Sequence, residues 1–176
     1  MYKQKLNNQS GFTFIELIIY LAIVGSILTS MVLFSLRILD TRTKTGTIQQ
    51  VQANTRTAVD FISRQIRSSE NINVGASTFN SDPGVLSLQM ADSAVNPTVF
   101  QLDQDDGTLT VTQGANPTQN ITDQNINVTN LVFTNLTGSN PRENVQIEIT
   151  IEYNNPENSS IYDASETIMT NVTIRK

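Results

Sequence analysis

The sequence predicts an α+β fold in which one long N-terminal helix covers an antiparallel β-sheet. Three observations carry that prediction. An apolar run from Phe12 to Leu36, with Glu16 as its single charge, heads the chain. Apolar residues then recur at spacings of three and four between Ile48 and Ile66. From Asn71 the apolar period falls to two, with turn residues between short runs. The first two periods belong to a helix and the third to strands.

Residues 1–11 form a short polar leader carrying Lys3 and Lys5 and ending at Gly11. The first structural element, residues 12–39, follows. At about 1.5 Å per residue its apolar run extends roughly 37 Å as a helix, enough to cross a hydrocarbon core of about 30 Å with some tilt. A membrane-crossing assembly helix is therefore expected. Its orientation is not fixed by charge, because Lys3 and Lys5 flank one end and Arg37, Arg42 and Lys44 the other. A carboxylate within such a run costs about 2.5–3.5 kcal/mol on insertion scales. Glu16 therefore either reaches the interface at the end of the span or has a partner.

The stretch Gly11-Phe12-Thr13-Phe14-Ile15-Glu16-Leu17, after a Lys-bearing leader and before the apolar run, resembles the N-terminal signature of type IV prepilins and type II secretion pseudopilins. The resemblance implies a pilin-like fold and a defined processing route. Gly11 matches the last leader residue, after which a membrane prepilin peptidase cuts. Phe12 matches the new, N-methylated terminus. Glu16 matches the acid that pairs with the terminal amine of a neighbouring subunit during assembly. Such pairing is physically reasonable, since an unpaired ammonium and an unpaired carboxylate are each costly away from water. An ordinary secretory signal is cut after its apolar region; here the implied cut precedes it, so the helix stays in the mature protein. The resemblance also implies a single-pass protein of the cytoplasmic membrane with its C-terminal domain extracytoplasmic. After assembly that domain belongs to a cell-surface or periplasmic filament.

Residues 40–70 continue the helix. No Pro precedes Pro83, and after Gly11 only Gly25 and Gly46 occur before Gly75, so a helix from Phe12 to Ser68 is permitted. Ile48, Val51, Thr55, Val59, Ile62 and Ile66 form one stripe. It packs on the chain's own sheet, or serves as a seam against other subunits. Gly25-Ser26 marks either a weak point in the helix or a packing contact. Many major pilins have a Pro in the second half of the membrane helix; Leu28 to Leu36 has none, which favours a minor subunit. The run from Arg56 to Arg67 is similar to minor pseudopilins of the J type and minor pilins of the W type.

Residues 71–176 read as an antiparallel β domain with one polar face. Val85–Met90, Thr98–Leu102 and Thr108–Thr112 alternate, and Asp103-Gln-Asp-Asp-Gly107 is a hairpin turn between the last two. Ile126 to Leu136 is a strand with an irregularity near Asn130. Val145–Tyr153 sets Val145, Ile147, Ile149, Ile151 and Tyr153 on one face and Glu148, Thr150 and Glu152 on the other. Ile168–Ile174 closes the set.

Composition narrows the function. The 176 residues include no His and no Cys, which removes imidazole and thiol chemistry, Cys/His zinc sites and disulfides. From Asn71 onward three Lys/Arg stand against twelve Asp/Glu, so no nucleic-acid contact by this acidic domain is expected. Asp103, Asp105 and Asp106 do not follow the EF-hand spacing, and a solvated turn is the expectation over a weak cation site. Asn-x-Ser/Thr triplets at Asn120, Asn127, Asn135, Asn158 and Asn171 reflect composition. Glu148 and Glu152 share a strand face, and no catalytic role is expected of the pair.

The expectation is no enzyme, no cofactor and no metal. It is a minor pilin or pseudopilin of a type IV pilus, a type II secretion pseudopilus or a DNA-uptake filament. Its partners are other pilin or pseudopilin subunits, the prepilin peptidase and the cytoplasmic membrane. The alternative is a membrane-anchored extracytoplasmic binding module, a tip adhesin or cargo receptor; an exposed aromatic cluster on the acidic domain would favour it, but the aromatics there are few and scattered.

Overall fold

The structure is a computed structural model, and it describes residues 11–138 and 142–175. Most of the leader, residues 1–10, lies outside the described residues. One helix, α1 (Phe14–Ser68), heads the chain. Eight strands follow: β1 (Asn71–Ile72), β2 (Leu86–Gln89), β3 (Thr98–Asp103), β4 (Thr108–Gln113), β5 (Gln119–Asn120), β6 (Ile126–Asn135), β7 (Asn144–Tyr153) and β8 (Ser165–Thr173). The chain separates into two compact units, Met1–Arg42 and Thr43–Lys176.

Within the first unit α1 is apolar and buries nothing. Every residue from Leu17 to Arg42 is exposed within the chain. An isolated helix gains stability from packing an apolar face, so this surface requires a partner medium, lipid or other helices. α1 runs through Gly25-Ser26 without interruption.

Within the second unit α1 is amphipathic in fact as well as in pattern. Thr47, Val51, Asn54, Thr55, Ala58, Val59, Ile62, Ser63 and Ile66 are buried. Ile48 stays exposed, and Thr47 is the buried residue at that end of the stripe. Small polar residues share the stripe because their side chains are satisfied locally: Thr55 donates to the Val51 carbonyl at 2.8 Å and Thr47 to the Thr43 carbonyl at 3.0 Å. The helix packs on its own β-structure, with Ile62 and Ile66 in one core with Leu86, Phe100, Phe133 and Ile149. Phe61 meets Phe100 edge to face, ring centroids 6.0 Å apart.

The β-structure is two sheets where the sequence led us to expect one. β1-β2-β3-β4-β5 form a five-stranded antiparallel sheet and β6-β7-β8 a three-stranded one. A two-residue period says that a strand has a buried face; it does not say which strand lies beside it. β1 and β5 are two residues long and carry no period at all.

β6 holds the expected irregularity. Its pairing with β7 shifts between Val128 and Asn130, leaving Thr129 as an extra residue. Ile126 and Val128 are buried before the shift, Leu131 and Phe133 after it. Odd and even positions exchange faces across the bulge, so both halves of the strand reach the same core. β7 alternates as expected, with Val145, Ile147, Ile149 and Ile151 buried. The β3–β4 hairpin closes at Asp103 and Thr108, and Gly107 takes φ +64°, a left-handed conformation that favours glycine.

Candidate functional site

The site is the first turn of α1, and it is built by local chemistry. Thr13 is the cap. Its carbonyl accepts the Leu17 N–H at 3.2 Å, the first helical bond, while its Oγ1 accepts the Glu16 N–H at 3.3 Å. This satisfies one of the donors that a helix start leaves without a partner. Thr13-x-x-Glu16 is also the sequence spacing of a capping box.

Glu16 sits half-buried in that first turn, where a negative charge meets the positive end of the helix dipole. One turn on, the Tyr20 hydroxyl donates to Glu16 Oε1 at 3.4 Å. The Tyr20 ring also meets Phe12, centroids 5.7 Å apart and planes tilted by 59°. Glu16 and Tyr20 thus share one helix face at an interval of four, and Phe12, just before the helix, lies against Tyr20. Gly11 is exposed, with nothing within 4 Å of the place where a Cβ would stand.

Below this turn the polar groups of the apolar half satisfy themselves. Ser26 donates to the Ile23 carbonyl, Thr29 to that of Gly25, Ser30 to that of Ser26 and Ser35 to that of Met31, all at 2.8–2.9 Å. Hydroxyls bonded in this way need neither water nor a neighbour. Glu16 differs. A carboxylate has about four acceptor sites, and the Tyr20 hydroxyl engages one oxygen at the long end of the range. The remaining capacity suits an incoming donor, above all a charged one.

The structure therefore brings together the sequence-predicted Phe12 and Glu16 and leaves Gly11 open beside them. Sequence reasoning missed Thr13 and Tyr20. Both had a signal: the Thr-x-x-Glu spacing for the cap, and the interval of four from Glu16 for the tyrosine.

The other candidates do not assemble. Asp103 Oδ1 accepts the Asp105 N–H at 3.1 Å, a local turn. Among the described residues no group of three His, Cys, Asp or Glu is placed to hold a metal ion. Glu148 accepts from the Asn130 amide at 3.1 Å. Glu152 faces a different environment, a polar cavity of about 330 Å³ at the end of β7.

Residues 6–35 match the family model described as the prokaryotic N-terminal methylation motif. Neither the curated proteins nor the solved structures offer a match to the chain. The matched segment is a type IV pilin- or pseudopilin-type signature, and with α1 packed on antiparallel sheets the architecture is pilin-like. The apolar half of α1 and the motif together fit a single-pass membrane-anchored protein.

Proposed function

We propose that the protein is a structural, minor subunit of a type IV pilus, a type II secretion pseudopilus or a DNA-uptake filament, with no catalytic role. A prepilin peptidase removes the leader after Gly11, and Phe12 becomes the methylated terminus. α1 then leaves lipid to pack among the helices of other subunits, and the β domain stays on the extracytoplasmic side.

One observation carries this reading. In an apolar surface whose hydroxyls bond to their own helix, the lone charge stands one turn from the predicted new N-terminus with acceptor capacity to spare. A terminal ammonium from a neighbouring subunit uses that capacity. Only one axial offset between parallel helices brings the two charges together, so the pair sets register as well as attraction.

The test is the intact mass and N-terminal sequence of the protein recovered from its own host's membranes. A chain starting at Phe12 with one added methyl is expected. A chain retaining residues 1–11 in a host with an active prepilin peptidase overturns the proposal.

A second reading, a binding module on the same scaffold acting as a tip adhesin or cargo receptor, gains support from one feature. Tyr153 and Tyr162 stack beside the polar cavity on the acidic domain. Sequence alone left these aromatics scattered.

A further inference from the structure

The loop joining β7 to β8, residues 154–164, has a construction that filament assembly through α1 does not require. The Tyr153 N–H donates to the Ala164 carbonyl at 3.0 Å and closes the base of the loop. Asn155 staples its middle: Nδ2 donates to the Ser159 carbonyl at 2.9 Å, and Oδ1 accepts the Ser159 N–H at 3.0 Å. The Tyr162 N–H donates back to the Ser159 carbonyl at 3.0 Å, and Asn154 N–H to the Asn125 carbonyl at 2.9 Å. A loop with joined ends, packed by its own side chains, is an Ω-type loop, a form that is frequently functional. Its ordering cost is met before any ligand arrives.

Tyr153, the last residue of β7, and Tyr162 on the loop stack their rings at 5.7 Å with 14° between the planes. Tyr153 packs against the core and anchors the pair, while Tyr162 remains 39% exposed. Two hollows, of about 330 and about 360 Å³, share the tyrosines in their walls. The first is otherwise polar, with Asn127, Glu152, Asn158 and Asp163 among its lining residues. Its size is at the lower end for small-molecule sites.

We propose that this loop binds a neutral saccharide unit, one sugar ring lying against the tyrosine pair and its hydroxyls meeting the amides and carboxylates. The lining selects the class. Asn side chains both donate and accept, whereas carboxylates accept only. A ligand whose hydroxyls do both uses all of them, and the flat C–H face of a sugar ring uses the aromatic surface. A guanidinium or ammonium uses the acceptors and the rings but leaves the amide donors without partners. An acidic sugar is repelled, since Glu152 and Asp163 line the hollow and no Lys or Arg does. The inference deepens the binding-module reading and rests on it; assembly through Glu16 stands or falls separately.

The test uses the full chain in lipid nanodiscs, which avoids sugar-based detergents. Saturation-transfer NMR is recorded with glucose, galactose, mannose and N-acetylglucosamine, and with arginine methyl ester as a cationic probe. Transfer to at least one sugar is expected. Tyr162→Ala weakens that binding by about tenfold or more, while Tyr162→Phe, which keeps the ring face, stays within about threefold of the parent. Asp163→Ala, a change at an exposed loop position, is expected to weaken it by about threefold and guards against misfolding of the tyrosine variant. No transfer to any of the four sugars overturns the proposal. So does sugar binding unchanged in both Tyr162→Ala and Asp163→Ala, or binding of arginine methyl ester alone. Filament incorporation of Tyr162→Ala, measured in parallel, is expected to be normal; its loss would make the loop an assembly surface and overturn the saccharide site.

Discussion

The two halves of α1 are one helix solving the same problem in opposite ways. Beyond Thr47 the helix buries its stripe in a core that the chain supplies, with Val51, Ala58, Ile62 and Ile66 nearly inaccessible. Before Thr47 it offers Leu17, Ile23, Leu28, Leu33 and Leu36, each at least half exposed. Hydroxyls turn inward to the backbone in both halves, at Thr29 and Ser35 as at Thr55. What differs is the fate of apolar area and of charge. The β-bearing unit is finished as a folded object, and the apolar half is finished only in lipid or among other helices. In the proposed assembly Glu16 makes that completion specific, because a hydrophobic surface attracts without choosing a register and a charge pair chooses one.

The largest effect expected from breaking this contrast is Glu16→Val. It removes the one charge from the apolar run Phe12–Leu36, so insertion should be unchanged or improved. Incorporation into filaments, measured on sheared filament fractions against membrane fractions, should fall to a small residue of the parental level. Normal incorporation would remove Glu16 from assembly and return it to the interface role.

Next in size is deletion of Thr129, which acts only on the finished unit. Without the extra residue, β6 cannot keep Ile126 and Val128 inside together with Leu131 and Phe133. Losing the burial of two large side chains costs about 3–6 kcal/mol, a large share of the roughly 5–15 kcal/mol that holds a typical domain. The measurement is urea unfolding of the chain from Thr41 onward, made without the apolar half. That fragment should be soluble, with a strand component in its circular dichroism. A deletion that leaves the midpoint unchanged would mean that β6 re-registers without loss.

The same contrast explains what sequence reading reached. Periodicity located α1, β2, β3, β4, β6, β7 and β8, because each lies in a run whose apolar residues repeat along the sequence. The bulge near Asn130 was legible because the apolar positions change phase there. The division into two sheets was not, since alternation within a strand is silent about its neighbours. Gly11, Phe12 and Glu16 stood out by motif, a local signal that survives without tertiary structure. Tyr153 and Tyr162 lie nine positions apart in a chain with four Tyr, and only the turn geometry of the β7–β8 loop stacks them. Asn54 was hidden for the same reason: it is a buried polar residue whose partner is distant in sequence.

That partner is Asp123, and the pair gives a smaller effect. Asn54 Nδ2 donates to Asp123 Oδ2, and Asn54 Oδ1 accepts the Asp123 N–H, both at 3.1 Å. Asn54→Ala removes both arms and should destabilise the Thr41 fragment by about 1–2 kcal/mol. Asp123→Ala removes only the carboxylate arm and should cost less. Equal losses in urea unfolding would mean that the backbone arm contributes nothing.

The smallest effect belongs to the apolar half again, and it separates the cap from the charge. Thr13→Ala deletes the hydroxyl that accepts the Glu16 N–H but leaves the carboxylate in place. A lost cap of this kind costs about 1 kcal/mol, confined to the first turn because the described residues around it are largely exposed. Amide exchange at Glu16, in nanodiscs, should therefore quicken by about fivefold, while exchange in the middle of the apolar half stays unchanged. Incorporation into filaments should be nearly normal, since the acceptor for a neighbour's amine survives. If Thr13→Ala impaired incorporation as severely as Glu16→Val, the order of the first turn, rather than the charge it presents, would be what assembly reads.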